Sequence, residues 1–205
     1  MAQDILLGAR MRVEETLSER RARHVFAVDR EMHALCREFG LGEEEEKSLS
    51  LIALLHDITK EKDTQTQLKM CLEYGIILSD ADRAVEKGLH AITGAALAKA
   101  EYGLREELVS ALRYHTTGRA NMGFFEQLLF LADYIEDTRT YPPCIALRKY
   151  FWENVKKAEG AEDKKRVLAR AVRLGLDCTL QDLVEEERFM HPDTVEARNW
   201  FLSLE

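Results

Sequence analysis

Three prolines, Pro142, Pro143 and Pro192, are all that interrupt 205 residues in which apolar side chains recur at helical spacing. A proline ring removes a backbone donor and clashes inside a helix, so its near absence leaves long stretches free to be helical. No alternating apolar and polar run competes, and the chain is read as all-α: a helical bundle with a C-terminal helical extension. Hydrophobic residues make up 46% of it, enough to bury a sizeable core. The expected organisation is one domain over residues 1–205, with a core at about 18–140 and C-terminal helices at about 141–205.

Ser18 can cap a helix reaching about Phe39, with Val25, Val28, Met32, Leu35 and Phe39 on one stripe, His24 on the same stripe, and Gly40 as the stop. The acidic run 43–46 suits the positive end of the next helix, which turns Leu49, Ile52, Ala53, Leu55 and His56 inward. Shorter helices are predicted at 64–73, 80–87, 92–101 and 106–114, set apart by Gly75, Gly88 and Gly103. Another covers 124–136, after which Tyr141-Pro142-Pro143 breaks the chain. Amphipathic segments at 145–157, 163–174 and 180–189 follow, then a helix from Asp193 with a capping box formed by Asp193 and Glu196.

A net charge of −8 argues against a general nucleic-acid or anionic-membrane binder, since those surfaces require excess Lys and Arg. The four cysteines, Cys36, Cys71, Cys144 and Cys178, form no CxxC pair, so neither a zinc knuckle nor a redox motif is indicated. No basic n-region opens the sequence, and no apolar stretch approaches the roughly 18 residues of a membrane span. A reduced, cytoplasmic protein is expected.

The apolar run Leu51-Ile52-Ala53-Leu54-Leu55 ends in His56-Asp57, two polar groups that need partners when buried. His24 upstream, and His90, His115 and Asp133 downstream, complete four imidazoles and two carboxylates, the donor types that hold divalent cations. A carboxylate can bridge two cations through its two oxygens, which suits Asp57, whereas neutral imidazoles suit terminal positions. Alone, His24 reads first as a satisfied core histidine; Lys60 and Arg139 read equally as solvated helix-end cations, and Thr116-Thr117-Gly118 reads as helix termination but for its position beside His115. His33, about 900° around the helix from His24, is expected to face solvent, and His191 to lie in a loop.

With LLHDITK around His56-Asp57 and LADYIED around Asp133, the H...HD...D order resembles the HD-domain metal-dependent phosphohydrolases. HAITGA around His90, RYHTTGR around His115 and the C-terminal MHPDTVEARN narrow the resemblance to the YqeK family of symmetrical bis(5'-nucleosyl)-tetraphosphatases, over about residues 21–199. That resemblance implies hydrolysis of diadenosine tetraphosphate to two ADP at a dinuclear iron centre, with Mn, Co, Ni or Zn also suited to the donors. It implies that His24, His56, Asp57 and Asp133 hold one metal and Asp57, His90 and His115 the other. It places Asp57, His90, His115 and Lys60 at the reaction, with a metal-activated water as nucleophile. Arg21, Asp57, Lys60, Thr116, Thr117, Gly118, Arg119 and Arg139 are the implied substrate contacts, with Phe189 and His191 weaker candidates for the base.

The alternatives are an HD phosphohydrolase acting on another nucleotide and a nucleotide-sensing HD module without turnover. The aromatic cluster Tyr150, Phe151 and Trp152, within residues 141–152, reads as core or as a homodimer patch. Neither a nucleic-acid nor a membrane partner is expected.

Overall fold

A computed structural model of the chain describes residues 2–85 and 88–204, and those residues form eleven helices and no strand. In chain order they are α1 (Ala2–Thr16), α2 (Glu19–Phe39), α3 (Glu43–Leu55), α4 (Thr64–Glu73), α5 (Asp80–Ala84), α6 (Leu89–Tyr102), α7 (Glu106–Tyr114), α8 (Phe124–Ile135), α9 (Pro142–Val155), α10 (Ala161–Glu185) and α11 (Pro192–Leu202). The fold is an all-α bundle, as the periodicity indicates.

All of residues 49–55 in α3 are buried, the pattern of a helix enclosed on every side. Helices α1, α2, α7 and α8 pack around it. Leu49, Ile52, Leu54 and Leu55 are each fully enclosed, and each such side chain contributes about 1.5–3 kcal/mol through burial. This packing fixes where α3 ends, and therefore where His56 and Asp57 stand.

Ser18 caps α2 as its sequence position predicts, accepting from the Arg21 amide. Its own N–H and hydroxyl donate to the two oxygens of Glu61, each at 2.6 Å. The start of α2, with Arg21 and His24, is thus tied to the turn that follows Asp57. At the far end, Arg148 of α9 donates to the carbonyls of Ile135, Glu136 and Arg139, closing the C-terminus of α8.

Several elements differ from expectation. Pro142 and Pro143 begin α9 instead of separating helices, since the first helical turn needs no N–H from them. The segment expected at 163–174 and the first part of that at 180–189 form one helix, α10, which runs through Gly175 and ends at Glu185. There a Cβ would lie 3.0 Å from Phe130, so glycine lets α10 press closely on α8. The helix expected at 80–87 ends at Ala84, and residues 86–87 lie outside the described residues. His191, not Asp193, caps α11: its ring nitrogen accepts from the Asp193 amide at 3.2 Å, and the side chain is buried instead of in an open loop.

His33 is half-buried instead of solvated, 2.7 Å from Glu46, because α3 packs against that part of α2. Of the aromatic cluster, Phe151 is core and Trp152 donates to Glu31. The four cysteines are free thiols. Among the described residues no helix is long and apolar enough to cross a membrane.

Candidate metal centre

His56 occupies the C-cap of α3 and His115 the C-cap of α7. At a helix end the last carbonyls lack intrahelical partners. Each imidazole uses one: Nδ1–H of His56 donates to the Ala53 carbonyl at 2.6 Å, and Nδ1–H of His115 to that of Leu112 at 2.7 Å. Those bonds orient both rings with Nε2 turned inward. His90 comes from the first turn of α6, where the buried Thr59 hydroxyl donates to its carbonyl at 2.9 Å. Thr59, inside LLHDITK, locks α6 to the turn after Asp57, a role the sequence reading did not assign.

The Asp57 carboxylate divides these rings into two groups. Its Oδ2 faces the Nε2 atoms of His56 at 3.6 Å and His24 at 3.8 Å. Its Oδ1 faces those of His90 at 3.1 Å and His115 at 3.8 Å. Asp133 of α8 joins the first group, with Oδ1 3.0 Å from His24 Nε2 and 4.0 Å from His56 Nε2. Within the groups, the two Nε2 atoms are 3.4 Å apart for His24 and His56, and 3.2 Å apart for His90 and His115. In each of the sets His24, His56, Asp57 and Asp57, His90, His115, the ligand atoms lie within 4.8 Å of one another. Imidazole and carboxylate in this convergence fit divalent cations, so the chain has two His/Asp groups that could hold a metal.

Burial and neighbouring charges set the protonation of the centre. Burial holds His56 neutral, with a pKa lowered to about 4, and burial does the same to His90. Burial also opposes charging of His24, but Asp133 and Glu136 outweigh it and raise its pKa to about 9. Burial would raise Asp57, yet the surrounding imidazoles and Lys60 hold its carboxyl well below the usual range. Asp133 is likewise lowered against its own burial, by Arg139 and His24. Burial pushes the Lys60 ammonium down from its ordinary value.

Three cations rim the centre. Arg21 Nη1 is 2.7 Å from Asp57 Oδ2, and Arg139 Nη2 is 2.6 Å from Asp133 Oδ1. Lys60 Nζ lies 3.0 Å from His90 Nε2 and 3.8 Å from Asp57 Oδ1. Thr116 Oγ1 and Arg21 Nε are buried without a hydrogen-bond partner. The remaining expected contacts are placed differently. Arg119 is not brought to the centre: its guanidinium closes on the buried Glu126 at 2.7 and 3.0 Å. It lines a separate cleft of about 340 Å³ with Glu45, Glu107 and Phe125. Thr117 donates to the Gly118 carbonyl within its own turn. Gly118 has φ +64° and would set a Cβ 3.1 Å from Ala197, so it serves the turn and the packing of α11. Phe189 is exposed on the link to α11, and the buried His191 lies 3.6 Å from Asp82.

One participant escaped the sequence reading altogether. Glu136 is fully buried, with Oε1 3.1 Å from His24 Nδ1. Its only signal was its place in LADYIED, three residues beyond Asp133.

Residues 21–138 match the HD domain family. The chain belongs to the HD-domain family. Within that family this HD protein is of the YqeK type. It is 28% identical over 93% of both chains to a protein of Halalkalibacterium halodurans named symmetrical bis(5'-nucleosyl)-tetraphosphatase. A Staphylococcus aureus protein of the same name is 33% identical, covering 65% of this chain and 68% of its own. A crystal structure from Clostridium acetobutylicum, described as a predicted HD superfamily hydrolase involved in NAD metabolism, superposes with a TM-score of 0.82 at 28% identity over 97% of each chain. The HD domain's matched segment contains all six histidine and aspartate residues of the centre.

Proposed function

We propose that this HD protein hydrolyses diadenosine tetraphosphate symmetrically to two ADP at a dinuclear metal centre. The observation that carries the reading is the Asp57 carboxylate, each of whose oxygens faces its own pair of imidazoles. The relatives named as symmetrical tetraphosphatases supply the substrate class. His24, His56, Asp57 and Asp133 would hold one divalent ion, and Asp57, His90 and His115 the other, iron being the expected metal. Bound there, the pair supplies Lewis-acid polarisation of phosphoryl oxygen and a nucleophilic water at neutral pH.

The chain's own groups do the rest. Asp57 and Asp133 stay ionised across the neutral range, and His56 and His90 stay neutral, so these four donors are ready without loss of a proton, whereas His24 gives up its Nε2 proton when a cation binds. Arg21, Lys60 and Arg139 concentrate positive charge where a polyphosphate brings negative charge, reversing locally the acidic average of the chain. The unpartnered Arg21 Nε and Thr116 Oγ1 are donors that acceptor-rich phosphates can satisfy. ADP leaves as an already stable anion, and no covalent enzyme intermediate is needed.

Metal analysis of freshly purified protein, followed by product identification on diadenosine tetraphosphate, tests the proposal in one preparation. Two metals per chain and ADP alone are expected. Production of ATP with AMP would refute symmetrical cleavage, and a bound but intact nucleotide would favour a sensor. A panel of nucleoside monophosphates and other phosphoesters separates this substrate from those of other HD enzymes.

A further inference from the structure

Glu136 is, with Asp29, among the most thoroughly enclosed charged side chains of the described residues. Burying a carboxylate is costly unless donors replace its water. Three converge on it: Nδ1–H of His24 at 3.1 Å, the Thr138 amide at 2.5 Å and the Thr138 hydroxyl at 2.8 Å. The turn presenting it is held from behind by Arg148, and from the front Arg139 donates to the Asp133 carbonyl.

His24 differs from His56 and His115 in one respect that makes such a partner necessary. Those two sit at helix C-caps, where a free carbonyl three residues back accepts the Nδ1–H. His24 is the sixth residue of the 21-residue α2, where the preceding carbonyls are engaged in the helix ladder. An acceptor for its Nδ1–H must come from another element.

We propose that Glu136 is the positioning residue for His24, fixing the ring with Nδ1 protonated and Nε2 turned toward Asp57 and Asp133. It acts through His24 and touches neither substrate nor the reacting atoms. An outer carboxylate of this kind holds the orientation and raises the donor strength of a ligating imidazole, an effect typically worth about 10–100-fold in metal affinity. The inference rests on the metal-centre reading above, and the test separates the two.

Glu136→Gln keeps the shape but replaces two charged acceptor oxygens by one neutral oxygen and an amide, so in either orientation the hydrogen bond from His24 is weakened or lost. Titration of metal-free protein with Mn²⁺ should show two ions in the wild type. In the variant one ion should bind about 10–100-fold more weakly and the other unchanged. Turnover should fall in kcat at limiting Mn²⁺ and recover when Mn²⁺ saturates, with KM little altered. Thr138→Val removes the hydroxyl donor without touching His24 and should leave both Mn²⁺ affinities as they were.

Nitrogen-15 spectra of the Zn²⁺-loaded wild type should place the His24 proton on Nδ1, a readout that survives even if the variant misfolds. A proton on Nε2, or Mn²⁺ affinities within twofold of wild type in a folded Glu136→Gln protein, would overturn the assignment. Wild-type protein that takes up no Mn²⁺ would overturn the centre itself, before any variant is made.

Discussion

The two halves of the centre share Asp57 but are built differently. The half formed by His24, His56 and Asp133 has a second carboxylate, a third one behind it in Glu136, and an imidazole held protonated well above neutrality. The half formed by His90 and His115 has no further carboxylate within its ligand set, and the Lys60 ammonium lies against the His90 ring. Equal numbers of imidazoles therefore do not make equal sites. With two carboxylate ligands against one, the first half should hold a divalent cation more tightly; both halves bind beside resident positive charge, Arg21 and Arg139 at the first and Lys60 at the second.

Removing the shared residue should erase the comparison altogether. Asp57→Ala takes one oxygen from each half and should lower turnover by at least about 10³-fold, the equivalent of several kcal/mol of transition-state stabilisation. A steady-state assay with added metal checks it. If the variant retained turnover within tenfold of wild type, the bridging role would be lost.

Single-half substitutions should then separate the two. Asp133→Asn and His90→Gln should each weaken one of the two Mn²⁺ ions by about 10–100-fold in a calorimetric titration. The tight ion should be the one affected by Asp133→Asn, and the weak ion the one affected by His90→Gln. The reverse assignment would contradict the electrostatic argument.

In metal-free protein the imidazoles should respond to pH with opposite sign, and the contrast falls inside the first half, between His24 and His56. His56 and His90 titrate near pH 4 when folded, below their ordinary value of about 6.5, so the unfolded chain takes up protons first and stability falls as pH drops from about 6.5 to 4. His24 titrates near pH 9 when folded, so its contribution is fully present below about 6.5 and is lost as pH rises toward 9. The thermal midpoint of the chelator-treated protein should peak near neutrality. His24→Gln should flatten the alkaline limb and His90→Gln should weaken the acid one.

The smallest catalytic effect belongs outside the centre. Arg119→Ala should leave kcat and metal content unchanged while costing stability by about 1–3 kcal/mol, because the buried Glu126 loses a charged partner. Denaturant unfolding beside a turnover assay measures both. A large loss of kcat would restore Arg119 to the substrate site.

Much of the centre was legible because its residues sit at positions that local rules identify. The apolar run preceding His56-Asp57 marks an enclosed helix, and an abrupt polar end to such a run demands partners. His90 and His115 stood out as helix-edge imidazoles for the same reason. Proximity in sequence to His115 does not set where Arg119 points: four residues further on, past the turn at Gly118, the chain offers the guanidinium to Glu126. Glu136 was missed because its contact with His24 spans 112 residues, and nothing local distinguishes it from the neighbouring acid Asp137.

Periodicity, capping residues and the order of histidines and aspartates determined by themselves an all-α chain, most of its helix boundaries and a set of residues that could hold a metal. These are properties of one helix or one turn, set by interactions a few residues apart. Which oxygen of Asp57 serves which imidazoles, why α10 runs unbroken past Gly175, and which acid stands behind His24 were decided only by tertiary packing. Those outcomes depend on how α2, α3, α6, α7 and α8 meet, and burial there selects among partners that look equivalent along the chain.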